Sequence, residues 1–188
     1  MKKEISLVLP TAILIRKEIK PKYKLVFGLH YAYFKKGQST WESNIEIAKR
    51  LSIHPNTIGN IHTLFEDNNM LIKKNGAYEV VKQTIEQLEK SDIGVEEIII
   101  PFEVYSKQLS AGAMLLWGEY NRFRDTEKGY FVEREKTAKY LGSSIASITN
   151  WTKELDENGM LEQYDINYGR KGSQRIIRTK DFRKEEQQ

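Results

Sequence analysis

Residues 44–61 read NIEIAKRLSIHPNTIGNI, and ninety residues later 134–151 read REKTAKYLGSSIASITNW. Each stretch sets a small residue, Ala48 or Ala138, three positions before a leucine, Leu51 or Leu141. A polar break comes next, then an isoleucine, Ile58 or Ile148. Further apolar positions return at helical spacing: Ile61 and Phe65 in the first stretch, Trp151 and Leu155 in the second. Two short helices joined by a tight turn satisfy this pattern, because helices crossing steeply over such a turn need a small residue where they approach most closely. The breaks supply turn chemistry: SIHPN in the first, with Asn56 or Thr57 expected to cap the following helix, and Gly142 in the second, free to take positive φ.

The duplication extends well beyond these stretches. Residues 25–71 slide onto 115–161 without a gap and are identical at Leu25, Gly28, Ala48, Lys49, Leu51, Ile58, Asn60, Asn68, Met70 and Leu71. Apolar character is kept at Phe27/Trp117, Tyr33/Phe123, Trp41/Phe131 and Phe65/Leu155. The chain reads as two copies of one module. Apolar residues at helical spacing predict a first helix over 22–35 and again over 109–123, each preceded by a short apolar strand and a proline, ISLVLP and EEIIIP. The aromatics Tyr31, Tyr33, Phe34 and Trp41 are expected in the core.

A hairpin succeeds the paired helices in both copies. LIKKNGAYEVV joins two β-prone runs through Asn75-Gly76, which suits a type I′ turn with positive φ at both central residues. MLEQYDINYGRKGSQRIIRTK is longer and more basic, with its tip near Gly169 to Gly172. The expected fold is therefore α+β and mainly helical: two tandem winged helix-turn-helix domains, 1–81 and 98–188, forming an internal pseudo-dimer. The second domain carries the basic wing and tail. Residues 82–97 link the two, with Ile85 and Leu88 able to seat a short helix before a loop.

Composition narrows the function. A chain of 188 residues, 39% hydrophobic and 30% charged, can build two small cores. No apolar run approaches the roughly 18 residues of a membrane span, and Pro10 interrupts ISLVLPTAILI, so neither a membrane segment nor a leader is expected and the location should be cytoplasmic. The absence of cysteine removes disulfides and thiolate zinc sites. His30, His54 and His62 are the only histidines, and no nucleotide-binding or hydrolase motif occurs. Neither catalysis, nor a metal or other cofactor, nor a small-molecule ligand is expected.

The charge pattern points to a polyanion. Residues 1–90 carry a balance of +6 and residues 91–188 a balance of −2, yet 165–184 hold seven Lys or Arg against two Asp. Basic clusters of this kind gain affinity for nucleic acid by releasing condensed counterions. With Ile58 and Ile61 facing inward, the second helix of the first pair presents His54, Asn56, Thr57, Gly59, Asn60 and Thr63 outward. The second copy presents Ser144, Ala146, Ser147, Thr149, Asn150 and Lys153. These are the candidate base-reading residues, and Asn60 and Asn150 stand at equivalent positions where an amide can pair bidentately with adenine. The faces are poor in arginine, so phosphate or minor-groove contacts are assigned to Lys49, Arg50, Lys73, Lys74, Lys139, Arg170, Lys171, Arg175 and Arg178.

The layout of strand, proline, helix opening KLVFGLHYAYFKKG or AMLLWGEYNRFRDTEKG, then AKRL or AKYL, then wing, resembles helix-turn-helix proteins of plasmids, phages and conjugative elements of Gram-positive bacteria. These include replication initiators and organisers and transfer-region DNA-binding proteins. The resemblance implies sequence-specific binding of double-stranded DNA at an operator or at an origin of transfer or replication. Replication or conjugation proteins would be further partners. The alternatives are a replication initiator or organiser, and a winged-helix scaffold that binds protein in such a complex.

Overall fold

The computed structural model describes residues 4–89, 96–169 and 172–182. Arg170 and Lys171, and Arg183 and Lys184 of the basic tail, lie outside the described residues, as does most of the loop expected before residue 97. The fold is α+β and mainly helical, with three two-stranded antiparallel sheets. No described helix is long and apolar enough to cross a membrane. The chain divides into two compact units: the first runs to Gln108, and the second begins at Leu109 and also takes residues 15–17.

In the first unit, strand β1 (Leu7–Pro10) runs into the short helix α1 (Thr11–Leu14), and α2 (Pro21–Lys35) opens on Pro21, where the missing amide hydrogen is no loss. Gly28 lets α2 lie directly on β1, since a Cβ there would come 2.9 Å from Leu9 Cδ1. Helix α3 (Asn44–Leu51) starts with a capping box in which Ser43 accepts from the Glu46 amide and Glu46 accepts from the Ser43 amide. It ends on Ser52 at φ 53°, the left-handed conformation that Gly142 supplies in the second unit. Helix α4 (Pro55–Asp67) is capped by His54, whose Nδ1 accepts from the Asn56 amide at 3.2 Å. The cap thus falls two or three residues earlier than expected, because Pro55 itself fits the first helical position. Ile47, Ala48 and Leu51 of α3 and Ile58, Ile61 and Phe65 of α4 are buried.

The hairpin of β2 (Leu71–Lys74) and β3 (Ala77–Val80) turns through Asn75 at φ 49° and Gly76 at φ 86°, as a type I′ turn requires. Helix α5 (Lys82–Glu89) comes next, then β4 (Glu97–Ile100) and α6 (Phe102–Tyr105). Strand β4 pairs antiparallel with β1, Leu7 opposite Ile100 and Pro10 opposite Glu97, and the Tyr105 hydroxyl donates to the Ile5 carbonyl at 2.6 Å. That pairing moves the division between units to Leu109, beyond the residue 98 expected from sequence.

The second unit repeats the order. Helix α7 (Ala111–Asn121) is buried from Gly112 to Tyr120. Helix α8 (Arg134–Leu141) turns at Gly142 into α9 (Ile145–Glu157), and Ile148, Thr152 and Leu155 face inward. The hairpin of β5 (Leu161–Gly169) and β6 (Gly172–Thr179) closes the unit and is about twice as long as its counterpart. The Trp151 ring lies across Gly112, where an added Cβ would sit 2.0 Å from Cε2. Gly112→Ala should therefore lower stability by about 1–2 kcal/mol in urea titrations despite the better helix propensity of alanine, since a displaced indole outweighs that gain. An unchanged or raised midpoint would show that the ring moves aside freely.

Candidate nucleic-acid interface

The faces proposed from sequence do point outward. Asn56, Asn60 and Thr63 of α4 are exposed, with Thr57 and Gly59 half-buried. On the second unit Ser144, Ala146, Thr149, Asn150 and Lys153 are exposed and Ser147 is half-buried. Several of these groups are occupied within their own helix. Thr63 donates to the Gly59 carbonyl and Thr149 to the Ile145 carbonyl. Ser144 caps α9 by accepting from the Ser147 amide, with the two hydroxyls 2.9 Å apart, and Lys153 pairs with Glu157 at 3.5 Å. Asn60 and Asn150 form no side-chain hydrogen bond among the described residues. The Asn44 amide lies 3.4 Å from where a Gly59 Cβ would stand, so the start of α3 adjoins the polar face of α4.

The cations divide differently from expectation. Lys49, Lys73, Lys74 and Lys139 are exposed; Lys73 lies 5.3 Å from the centre of the Tyr78 ring and Lys74 pairs with Glu79 at 3.2 Å. Three arginines assigned to phosphate are engaged by groups of the protein itself. Arg50 donates two hydrogen bonds of 2.9 Å to Glu42, whose carboxylate also accepts from the Tyr33 hydroxyl at 2.6 Å, and reaches the Tyr105 hydroxyl at 3.4 Å. Burial and then the Glu42 carboxylate push the Tyr33 hydroxyl up to about 12. Burial opposes the charge on Arg50, but the bonds to Glu42 and Tyr105 outweigh it and raise its pKa. Arg175 is 6% exposed and donates to the Val132 carbonyl at 3.2 Å, because it shares the inward face of β6 with Ile177 and Thr179. Arg178 donates to Gln163 and to the carbonyls of Arg124, Thr126 and Glu127, which clamps the loop before Tyr130.

Each unit also carries a buried polar link, in the same register, from α2 to α4 in the first and from α7 to α9 in the second. His30 Nε2 lies 3.0 Å from His62 Nε2, and the Tyr120 hydroxyl lies 2.8 Å from Thr152 Oγ1. Thr40 Oγ1 sits 2.9 Å from His30 Nδ1, and Tyr78 stacks on the His62 ring at 4.0 Å. Burial, with His62 beside it, lowers the His30 pKa to about 3; burial, with Lys73 nearby, lowers that of His62 to about 4. Both rings are neutral at neutral pH. Sequence spacing could have found these links, since polar residues stand at 30/120 and 62/152 among apolar neighbours.

Trp41 departs from its expected place in the core, at 69% exposed, whereas Tyr31 is buried and Tyr33 and Phe34 are half-buried. No group of three His, Cys, Asp or Glu that could hold a metal occurs among the described residues. No family model matches the chain, and no curated protein matches it.

Proposed function

We propose that the chain is a sequence-specific double-stranded DNA-binding protein of a mobile genetic element, acting at an operator or at an origin of transfer or replication. In this reading α3 with α4, and α8 with α9, are helix-turn-helix units, and the two hairpins are their wings. The tandem winged-helix units then serve as an internal pseudo-dimer. The observation that carries it is the equivalence of Asn60 and Asn150: the same order of three helices and a hairpin occurs twice, and each time leaves one exposed, unbonded amide at the same position. Such an amide suits the donor and acceptor edge of adenine. Lys49, Lys73, Lys74 and Lys139 would supply phosphate contacts that position without specifying. No catalytic step is part of the proposal.

Selection of a preferred duplex from a random pool, followed by titration, tests the reading. Asn60→Ala and Asn150→Ala should each weaken binding to the selected site by about 2 kcal/mol, leave random duplex nearly unaffected, and relax preference in different halves of the footprint. Equal losses on all sequences would sink base reading by these amides. A second reading, a scaffold for replication or transfer proteins, is favoured by the internal hydrogen bonds of Arg50, Arg175 and Arg178, which occupy three side chains expected to meet phosphate. It predicts duplex affinity with little dependence on salt.

A further inference from the structure

Trp41 and Phe131 are 69% and 46% exposed and occupy the same place in the two repeats. Each directly succeeds a residue that bridges to the hairpin of its unit, Thr40 to Tyr78 and Tyr130 to Ile177. Alternation along an extended segment turns the bridging residue into the core and the next ring outward. Single exposed apolar side chains are ordinary on soluble proteins, but two aromatic rings at one register ninety residues apart mark a surface with a use.

The surroundings indicate what that surface meets. Beside Trp41 the carboxylates are internally occupied, Glu42 by Arg50 and Glu46 in the capping box; beside Phe131, Glu133 pairs with Lys136 at 3.2 Å, while Glu135 is exposed. Cations follow each ring within eight residues of the chain. Lys49 and Lys139 are exposed on the helices that come next in the chain. Arg134, three residues after Phe131, has a buried Nε without a hydrogen-bond partner; its one described contact is the Tyr164 hydroxyl at 3.4 Å, and no acidic partner occurs among the described residues. In the first unit Asn44, three residues after Trp41, has its amide 3.4 Å from where a Gly59 Cβ would stand, so the start of α3 adjoins the helix that bears Asn60. An exposed apolar ring followed within eight residues by exposed lysines on the first helix of the pair matches the wall of a DNA groove, where the carbon face of deoxyribose alternates with phosphate.

We propose that Trp41 and Phe131 each pack on the deoxyribose-phosphate backbone of the duplex, one ring per repeat, at the edge of the groove entered by α4 or α9. The inference rests on the DNA-binding reading above. Ile45, 71% exposed, extends the apolar surface beside Trp41, whereas the second repeat has Glu135 at the equivalent position, so Trp41 makes the larger contact.

The chain labelled with 5-fluorotryptophan gives three ¹⁹F resonances, one for each tryptophan, and the resonance missing from Trp41→Phe identifies that ring. Saturation with short duplexes of random sequence at low salt should abolish the solvent isotope shift of that resonance. Trp41→Ala should bind the same duplexes about tenfold more weakly, and Trp41→Phe within about twofold of wild type. Both should melt as wild type does and keep its salt slope, because the ring displaces no counterion. If the duplex binds while Trp41 stays fully exposed to solvent, or Trp41→Ala binds normally, the backbone contact is overturned and the DNA-binding reading stands. If no duplex binds, both fall together.

Discussion

Arg50→Met should destabilise the first unit by about 4 kcal/mol in urea titrations, although the residue lies on a helix whose other cation, Lys49, faces solvent. The Glu42 side chain is 6% exposed and its two oxygens accept from Arg50 Nε and Nη2. Removing the guanidinium leaves a carboxylate stranded in a poorly solvated site, held only by the Tyr33 hydroxyl and the residual water it can reach. The double change Glu42→Gln with Arg50→Met should recover most of the loss, because no charge then remains uncompensated. The single variant, assayed where it is still folded, should keep the wild-type salt slope for duplex. A loss under about 1 kcal/mol together with a shallower slope would return Arg50 to the phosphate-facing set.

Acid should loosen the same unit. His30 and His62 are 1% exposed and neutral in the folded protein, with pKa values held down to about 3 and 4 against 6.5 in the unfolded chain. The unfolded state therefore binds more protons as pH falls below 6.5, and stability declines from there toward the native values. Between pH 7 and pH 5 the pair should cost on the order of 4 kcal/mol, close to 2 for each ring. The double variant His30→Gln with His62→Gln, whatever its stability at pH 7, should lack that part of the decline. Parallel pH profiles for wild type and variant would show that the rings are not held neutral. Because His62 belongs to α4 and stacks on Tyr78 of the hairpin, protonation would loosen the joint on which the proposed reading face depends.

Much of the fold is legible because the apolar spacing repeats. Ile58 and Ile148, Ala48 and Ala138, and Asn75-Gly76 each express a local rule, and local rules suffice to place two helices, a turn and a hairpin. The orientation of cations is less legible. In QRIIRT, Arg175 and Arg178 fall on opposite faces of β6, yet both are engaged internally, one by the core and one by the loop carbonyls it clamps. Strand periodicity says which residues share a face; pairing register decides which face is inside. Arg50 escapes a reading by spacing for a related reason: its partner Glu42 precedes the helix and meets it only once α2 and α3 are packed. The spacing of Trp41 suits a strand on either face, so its exposure has no local signal.

The pairing of β1 with β4 has a consequence for how the chain is made. Leu7 and Leu9, each 1% exposed, find Ile100 and Ile98 across the ladder, some ninety residues later in synthesis. At roughly 5–20 residues per second, the ribosome delivers the second strand on the order of 5–20 s after the first. Through that interval α3, α4 and the Asn75-Gly76 hairpin can form from neighbouring residues, while β1 remains an open, apolar edge able to pair with another nascent chain. A chain ended at residue 81 holds that interval open permanently, and should aggregate where one ended at Gln108 does not.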